Sequence, residues 1–136
     1  MTASDLQPRL DDALLAVVRY PGGWWPPSSL PSFAAVVLGD DETTLVVPED
    51  RLDGLPVPVA VERGWRRITF PGPLPWELVG FLADVASRLA AARVPFTSIS
   101  GFTTDHVLVR AAQADVALAV LRGESAPELR PDVTNP

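Results

Sequence analysis

The chain has no cysteine, no lysine and a single histidine, His106, among its 136 residues. Without cysteine there is no disulfide framework, thiolate metal site or thiol nucleophile, and without lysine there is no Schiff-base chemistry. All eleven basic residues are arginine, scattered along a chain of formal charge -6. This distribution offers no electrostatic footprint for a phosphate backbone, which excludes nucleic acid as a partner. Long apolar runs are missing as well. The longest nearly uncharged stretch, residues 20–39, is broken by prolines, glycines and serines and cannot form a membrane-spanning helix, so no membrane association is expected. The first ten residues are polar with mixed charges, unlike a signal peptide, and the expected location is cytoplasmic.

The apolar content is ample for a core, and the length suits one compact domain or a fused pair of very small ones. Residues 14–20 (LLAVVRY) form a short β-branched run closed by Pro21-Gly22-Gly23, as expected of a buried strand ending in a turn. The stretch PGGWWPPSSLPS that follows lacks the backbone donors of a regular helix and reads as an irregular connection. Residues 33–38 and 43–47 are strands around a Gly39-Asp40-Asp41-Glu42 hairpin turn. Residues 48–54 allow at most a short helical turn, and residues 65–70 (WRRITF) read as the next strand.

The spacing of Leu78, Leu82, Val85 and Leu89 predicts a helix over 75–92, with Pro75 in its first turn, Glu77 at the positive end of its dipole and an outward Asp84–Arg88 pair. Val94-Pro95 ends it. Residues 96–100 and 106–110 are strands around a turn at 101–105, and residues 112–122 form a second amphipathic helix with Val116, Ala117 and Val120 on one side. The second half thus runs β-α-β-β-α and the first half β-loop-β-β-short helix. They look like two copies of one unit, the first with its main helix replaced by the proline-rich loop. The expected class is α+β, a sheet with helices on one face. Its parts are an N-terminal segment 1–13, a degenerate unit 14–62, a full unit 63–122 and a disordered polar tail 123–136.

Asp105 beside His106 invites a catalytic reading, but adjacent strand residues point to opposite faces and cannot form the orienting hydrogen bond directly. No nucleophile sits in a recognised setting. Asp40, Asp41 and Glu42 splay outward in a turn and read as solvated rather than as metal ligands. Arg66 and Arg67 alternate across a strand, so only one of them can face any site; an ion-paired surface competes with an anion clamp. Trp24 and Trp25 either plug the core beneath the missing helix or wall a ligand site. Ser98, Ser100, Thr103 and Thr104 either satisfy strand edges and the turn or, crowded beside Asp105, hold a small polar ligand.

The run from Leu74 to Leu121, LPWELVGFLADVASRLAAARVPFTSISGFTTDHVLVRAAQADVALAVL, resembles the ACT domain, in the small bacterial branch related to CASTOR-type arginine sensors. The matching features are the E-x-V-G entry to the helix (Glu77 to Gly80), the Ser/Thr-bearing strand at 97–100 and the T-D-H-x-x-V strand start (Thr104 to Val109). FAAVVLGDDETTLVVPED resembles the first unit of the same family. The resemblance implies tandem ACT (ferredoxin-like) units, no catalysis, no cofactor, and binding of an amino acid or similar small effector, with a homodimer joining two tandem pairs. Asp105 matches the family acid and would contact the ligand amine. Backbone at Trp76, Glu77, Leu78, Val79 and Gly80 would contact its carboxylate, with Gly80 the glycine that lets the helix approach. Ser98, Ser100, Thr103 and Thr104 would supply hydroxyls. Arginine sensors carry an acid two positions before that glycine, where this chain has Leu78. The alternative implied by the aromatic residues is a protein-interaction module with an empty groove and a partner surface of Trp24, Trp25 and Trp76. A small ferredoxin-like enzyme using His106 is the third class.

Overall fold

A computed structural model describes residues 1–125; the expectation for the tail at 123–136 lies, beyond Ser125, outside the described residues. The elements are β1 (Arg9–Leu10), β2 (Leu15–Pro21), β3 (Ala35–Leu38), β4 (Glu42–Pro48), β5 (Ala60–Thr69), α1 (Phe81–Ala91), β6 (Phe96–Ser100), β7 (Asp105–Arg110) and α2 (Ala114–Leu121). Single 3-10 turns lie at Ser4–Leu6, Glu49–Gly54 and Ala111–Gln113. The chain divides into two units, Asp11–Arg67 on the one hand and Met1–Leu10 with the chain from Ile68 onward on the other. Strand β5 belongs to the first as far as Arg67, and its last two residues belong to the second.

In the first unit the strand order is β3-β4-β2-β5. Alternation along β2 turns Ala16, Val18 and Tyr20 inward, where they join Leu45 and Val47 of β4 in one core. The antiparallel register pairs Ala16 with Val47, Val18 with Leu45 and Tyr20 with Thr43. Between Leu15 and Val17 the β2–β5 register shifts by one residue, and Gly64 takes up the extra residue at φ +80, a conformation that favours glycine. No α-helix occurs between β2 and β3. Trp24 stands where such a helix would cover the sheet, stacked on Tyr20 at 3.7 Å between ring centres, with Leu30 and Ala34 beside it. Thr43, the buried polar residue of this core, donates its hydroxyl to the Trp24 carbonyl at 2.9 Å.

In the second unit the order is β6-β7-β5-β1, with Leu10 opposite Ile68 and Arg9 opposite Thr69. The two units therefore share one topology, second strand, third, first, fourth, which is the ferredoxin-like arrangement. The fourth strand of the second unit comes from the chain's N-terminal segment. Its core combines Ile68 and Phe70 with Val107 and Val109, covered by Phe81, Val85 and Leu89 of α1 and by Ala114, Ala117 and Leu121 of α2. Phe81 meets Phe70 edge to face at 4.9 Å.

Two expectations about α1 are corrected here. The helix starts at Phe81 and not at Pro75: Gly80 sits at φ +88, and the stretch before it is only a turn, closed by Leu78 N–H to the Pro75 carbonyl at 3.1 Å. The buried stripe is accordingly Phe81, Val85 and Leu89, while Leu82 faces outward, 41% exposed. The Asp84–Arg88 pair, 3.1 Å apart, is half-buried and not outward, because the N-terminal segment lies over it and the Ala3 amide donates to Asp84. On α2 the inward residues are Ala114, Ala117 and Leu121, so Val116 and Val120 only flank the core.

Candidate functional site

Two connections of the second unit are stitched together. The link from β5 to α1, residues 70–80, meets the β6–β7 turn, residues 101–104. Leu74 N–H donates to the Thr103 carbonyl at 2.6 Å, and the Thr104 hydroxyl donates to the Phe70 carbonyl at 2.8 Å. Gly72 allows this approach, since a Cβ there would stand 3.0 Å from the Thr103 carbonyl oxygen. The turn itself is closed by Gly101 N–H to the Thr104 carbonyl at 2.9 Å.

Between the two connections and the start of α1 lies a cleft of about 310 Å³. Its apolar wall is Leu74, Pro75, Trp76, Leu78, Phe81, Leu82 and Phe102; its polar side is Ser100, Thr103, Thr104 and Asp105. Ser100 and Asp105 are cross-strand neighbours, and the Ser100 hydroxyl donates to Oδ1 of Asp105 at 2.6 Å. That leaves the other carboxylate oxygen for an incoming donor. Phe81, Leu82 and Ala83 line the cleft, and their amides precede the first bond of α1, Asp84 N–H to the Gly80 carbonyl, with no side chain on Gly80 to cap them. A helix start of this kind favours an anion. The cleft thus offers an acceptor for a cation and donors for an anion.

Seven candidates from the sequence come together in this cleft: Trp76, Leu78, Gly80, Ser100, Thr103, Thr104 and Asp105. Glu77, Val79 and Ser98 do not line it. Val79 points into solvent, 92% exposed, and Ser98 lies further along β6, opposite Val107. Because the helix starts late, the amides left at its start without an intrahelical partner are those of residues 81–83. The Leu78 amide is already bonded to Pro75, and the Thr104 hydroxyl to Phe70. Gly80 is required by its backbone conformation and not by close approach, since an added Cβ would meet nothing within 4 Å.

Sequence reasoning missed Phe102, a lone aromatic in a turn. Its ring meets Trp76 edge to face at 5.3 Å, and the two remain 81% and 71% exposed. His106 does not line the cleft, in keeping with the opposite facing of neighbours on β7. Trp24 is part of its unit's core, which removes it from the expected aromatic surface, while Trp25 is 71% exposed. Arg66 donates through Nε and Nη2 to the Asp11 carbonyl at 3.0 and 2.8 Å, and Arg67 pairs with Asp11 at 3.1 Å while lying over the Phe33 ring. Both arginines thus tether the start of β2 within the first unit. Among the described residues no group of histidine and acidic side chains is arranged to hold a metal, and no helix is long and apolar enough to cross a membrane.

The fold is of the ACT type, ferredoxin-like, and residues 60–123 match the family model of the ACT domain. A sequence comparison with curated proteins finds no match. Among solved structures, the protein Atu0741 of Agrobacterium tumefaciens is similar at TM-score 0.73 and 25% identity, over 90% of this chain and 93% of that one. VC0802 of Vibrio cholerae, a protein of unknown function, is similar at TM-score 0.69 and 25% identity, over 85% and 87%. The fold is shared with the regulatory subunit of aspartate kinase from Thermus thermophilus, at TM-score 0.62 and 9% identity over 85% and 95%.

Proposed function

We propose that the chain is a non-catalytic regulatory domain of the ACT type that binds a free amino acid in the cleft beside the β6–β7 turn, as a cytoplasmic homodimer. One observation carries the reading: Asp105 and the residues of the uncapped helix start, Phe81–Ala83, line the same small cleft. The carboxylate suits an α-ammonium, and the amides, at the positive end of α1, suit an α-carboxylate. The volume lies at the lower end of the roughly 300–1,000 Å³ found for small-molecule sites, which fits a single amino acid. The likeness to the aspartate kinase regulatory subunit supports a regulatory role, and Thr104-Asp105-His106 supports a relation to the CASTOR-type sensors.

The exposed Trp76, Val79 and Phe102 favour a second reading, a protein-binding surface on the same rim. A thermal-shift series with the twenty amino acids separates the two. At about a hundred times the dissociation constant a ligand adds about 2.7 kcal/mol of stability, a melting shift on the order of ten degrees for a chain of this size. If no amino acid moves the curve, the sensor reading fails and the interaction surface takes its place.

A further inference from the structure

We infer that the cleft selects an amino acid with a large uncharged apolar side chain, branched or aromatic, and discriminates against arginine, lysine, aspartate and glutamate; this rests on the amino-acid-binding reading above. Among the described residues lining the cleft, Asp105 carries the only charge. A bound zwitterion uses that carboxylate for its ammonium, and the amides at the start of α1 for its carboxylate. A third charge, on the ligand side chain, would then meet no counter-charge. Taking it out of water without a partner is strongly unfavourable.

Nor does the cleft favour a polar side chain. The Thr104 hydroxyl is engaged with the Phe70 carbonyl and the Ser100 hydroxyl with Asp105. Thr103 is the one further hydroxyl of the wall, which apart from two glycines is otherwise aliphatic and aromatic. Trp76 and Phe102 touch edge to face, with ring planes at 79°, yet both stay largely in water. A ligand side chain seated against them removes apolar surface on both partners, and aromatic faces add a geometric preference for another ring. Leu74, Leu78 and Leu82 border the same space.

Calorimetry of the full chain with phenylalanine, leucine, alanine, arginine and aspartate tests this. Phenylalanine or leucine should bind about tenfold or more tighter than alanine, the increment that a few methylenes supply in an apolar pocket, and arginine and aspartate should bind more weakly than alanine. Trp76→Ala with Phe102→Ala should abolish the preference for phenylalanine over alanine while leaving the circular dichroism unchanged, since both side chains lie outside the core. As a second readout, phenylalanine should change the tryptophan fluorescence, and Trp76→Phe should remove most of that change. Tightest binding by arginine or aspartate overturns the inference and leaves amino-acid binding intact. A phenylalanine preference that survives the double substitution also overturns it. If none of the five binds, the inference falls, and if none of the twenty shifts the melting curve the binding reading falls with it.

Discussion

The amide of Ala3 donates to Oδ2 of Asp84 at 2.9 Å, fixing the N-terminal segment onto the outer side of α1. The same carboxylate accepts from Nε of Arg88 at 3.1 Å, and Ala3 itself is fully buried. Asp84→Ala removes the acceptor from both donors, and a hydrogen bond to a charged group is worth about 1.5–3 kcal/mol. Urea unfolding should show a loss of that order, together with faster proteolysis within the first ten residues.

The same contact has a pH signature. Partial burial pushes the Asp84 pKa up, but the Ala3 amide and the Arg88 guanidinium outweigh it and hold the group below its ordinary value of 3.8. A depressed folded-state pKa contributes stability above the unfolded value and loses it as pH falls through the folded value. Melting temperatures recorded from about pH 5 downward should therefore fall for the wild type and fall less for Asp84→Asn. Parallel curves would mean that other carboxylates govern the acid limb.

Gly80→Ala should destabilise the protein by about 1–2 kcal/mol, the cost of a left-handed conformation for a residue with a Cβ. The space around it is open, so the fold should survive. Gly72→Ala should disturb the site more, because its Cβ would press on the Thr103 carbonyl and push the two connections apart. Urea titrations and ligand-induced melting shifts on both variants would separate the two effects.

Asp105→Asn should weaken amino-acid binding by roughly ten- to a hundredfold, the equivalent of one charge-assisted hydrogen bond, and leave the melting point without ligand almost unmoved. Thr104→Val should do the reverse. It deprives the Phe70 carbonyl of its donor, costs about 1–3 kcal/mol of stability and leaves affinity near that of the wild type. Equal response of wild type and Asp105→Asn to a ligand would place the site elsewhere.

Strands β3 and β6 stand at the ends of their units' sheets, each hydrogen-bonded on one side only. Open edges invite pairing with a second chain. Light scattering at high micromolar concentration should give the mass of a dimer, and a monomer mass would count against the proposed assembly.

Much of the fold was legible because it is written in short-range patterns. β-branched runs and the Gly39-Asp40-Asp41-Glu42 turn marked β2, β3 and β4 to within a residue or two, and alternation along β7 separated Asp105 from His106 before any coordinates. The repeat of one unit was visible in the order of elements. β1 was not, since two residues carry no period.

Sequence alone determined that no thiol and no lysine amine is present, and the position of most strands, since residue types, periodicity and turn chemistry act over a few neighbours. Tertiary structure decided what depends on contacts distant along the chain. Pro75 and Glu77 make a sound local helix start, yet Gly80 in a left-handed conformation moves that start to Phe81 and transfers the free amides to residues 81–83. Trp24 and Trp25 are chemically identical neighbours, and only the ring of Tyr20 beneath one of them assigns it to the core and leaves the other in water. Phe102 became part of the cleft wall only when the turn that carries it was bonded to the link before α1, a contact between residues about thirty apart that no local pattern encodes.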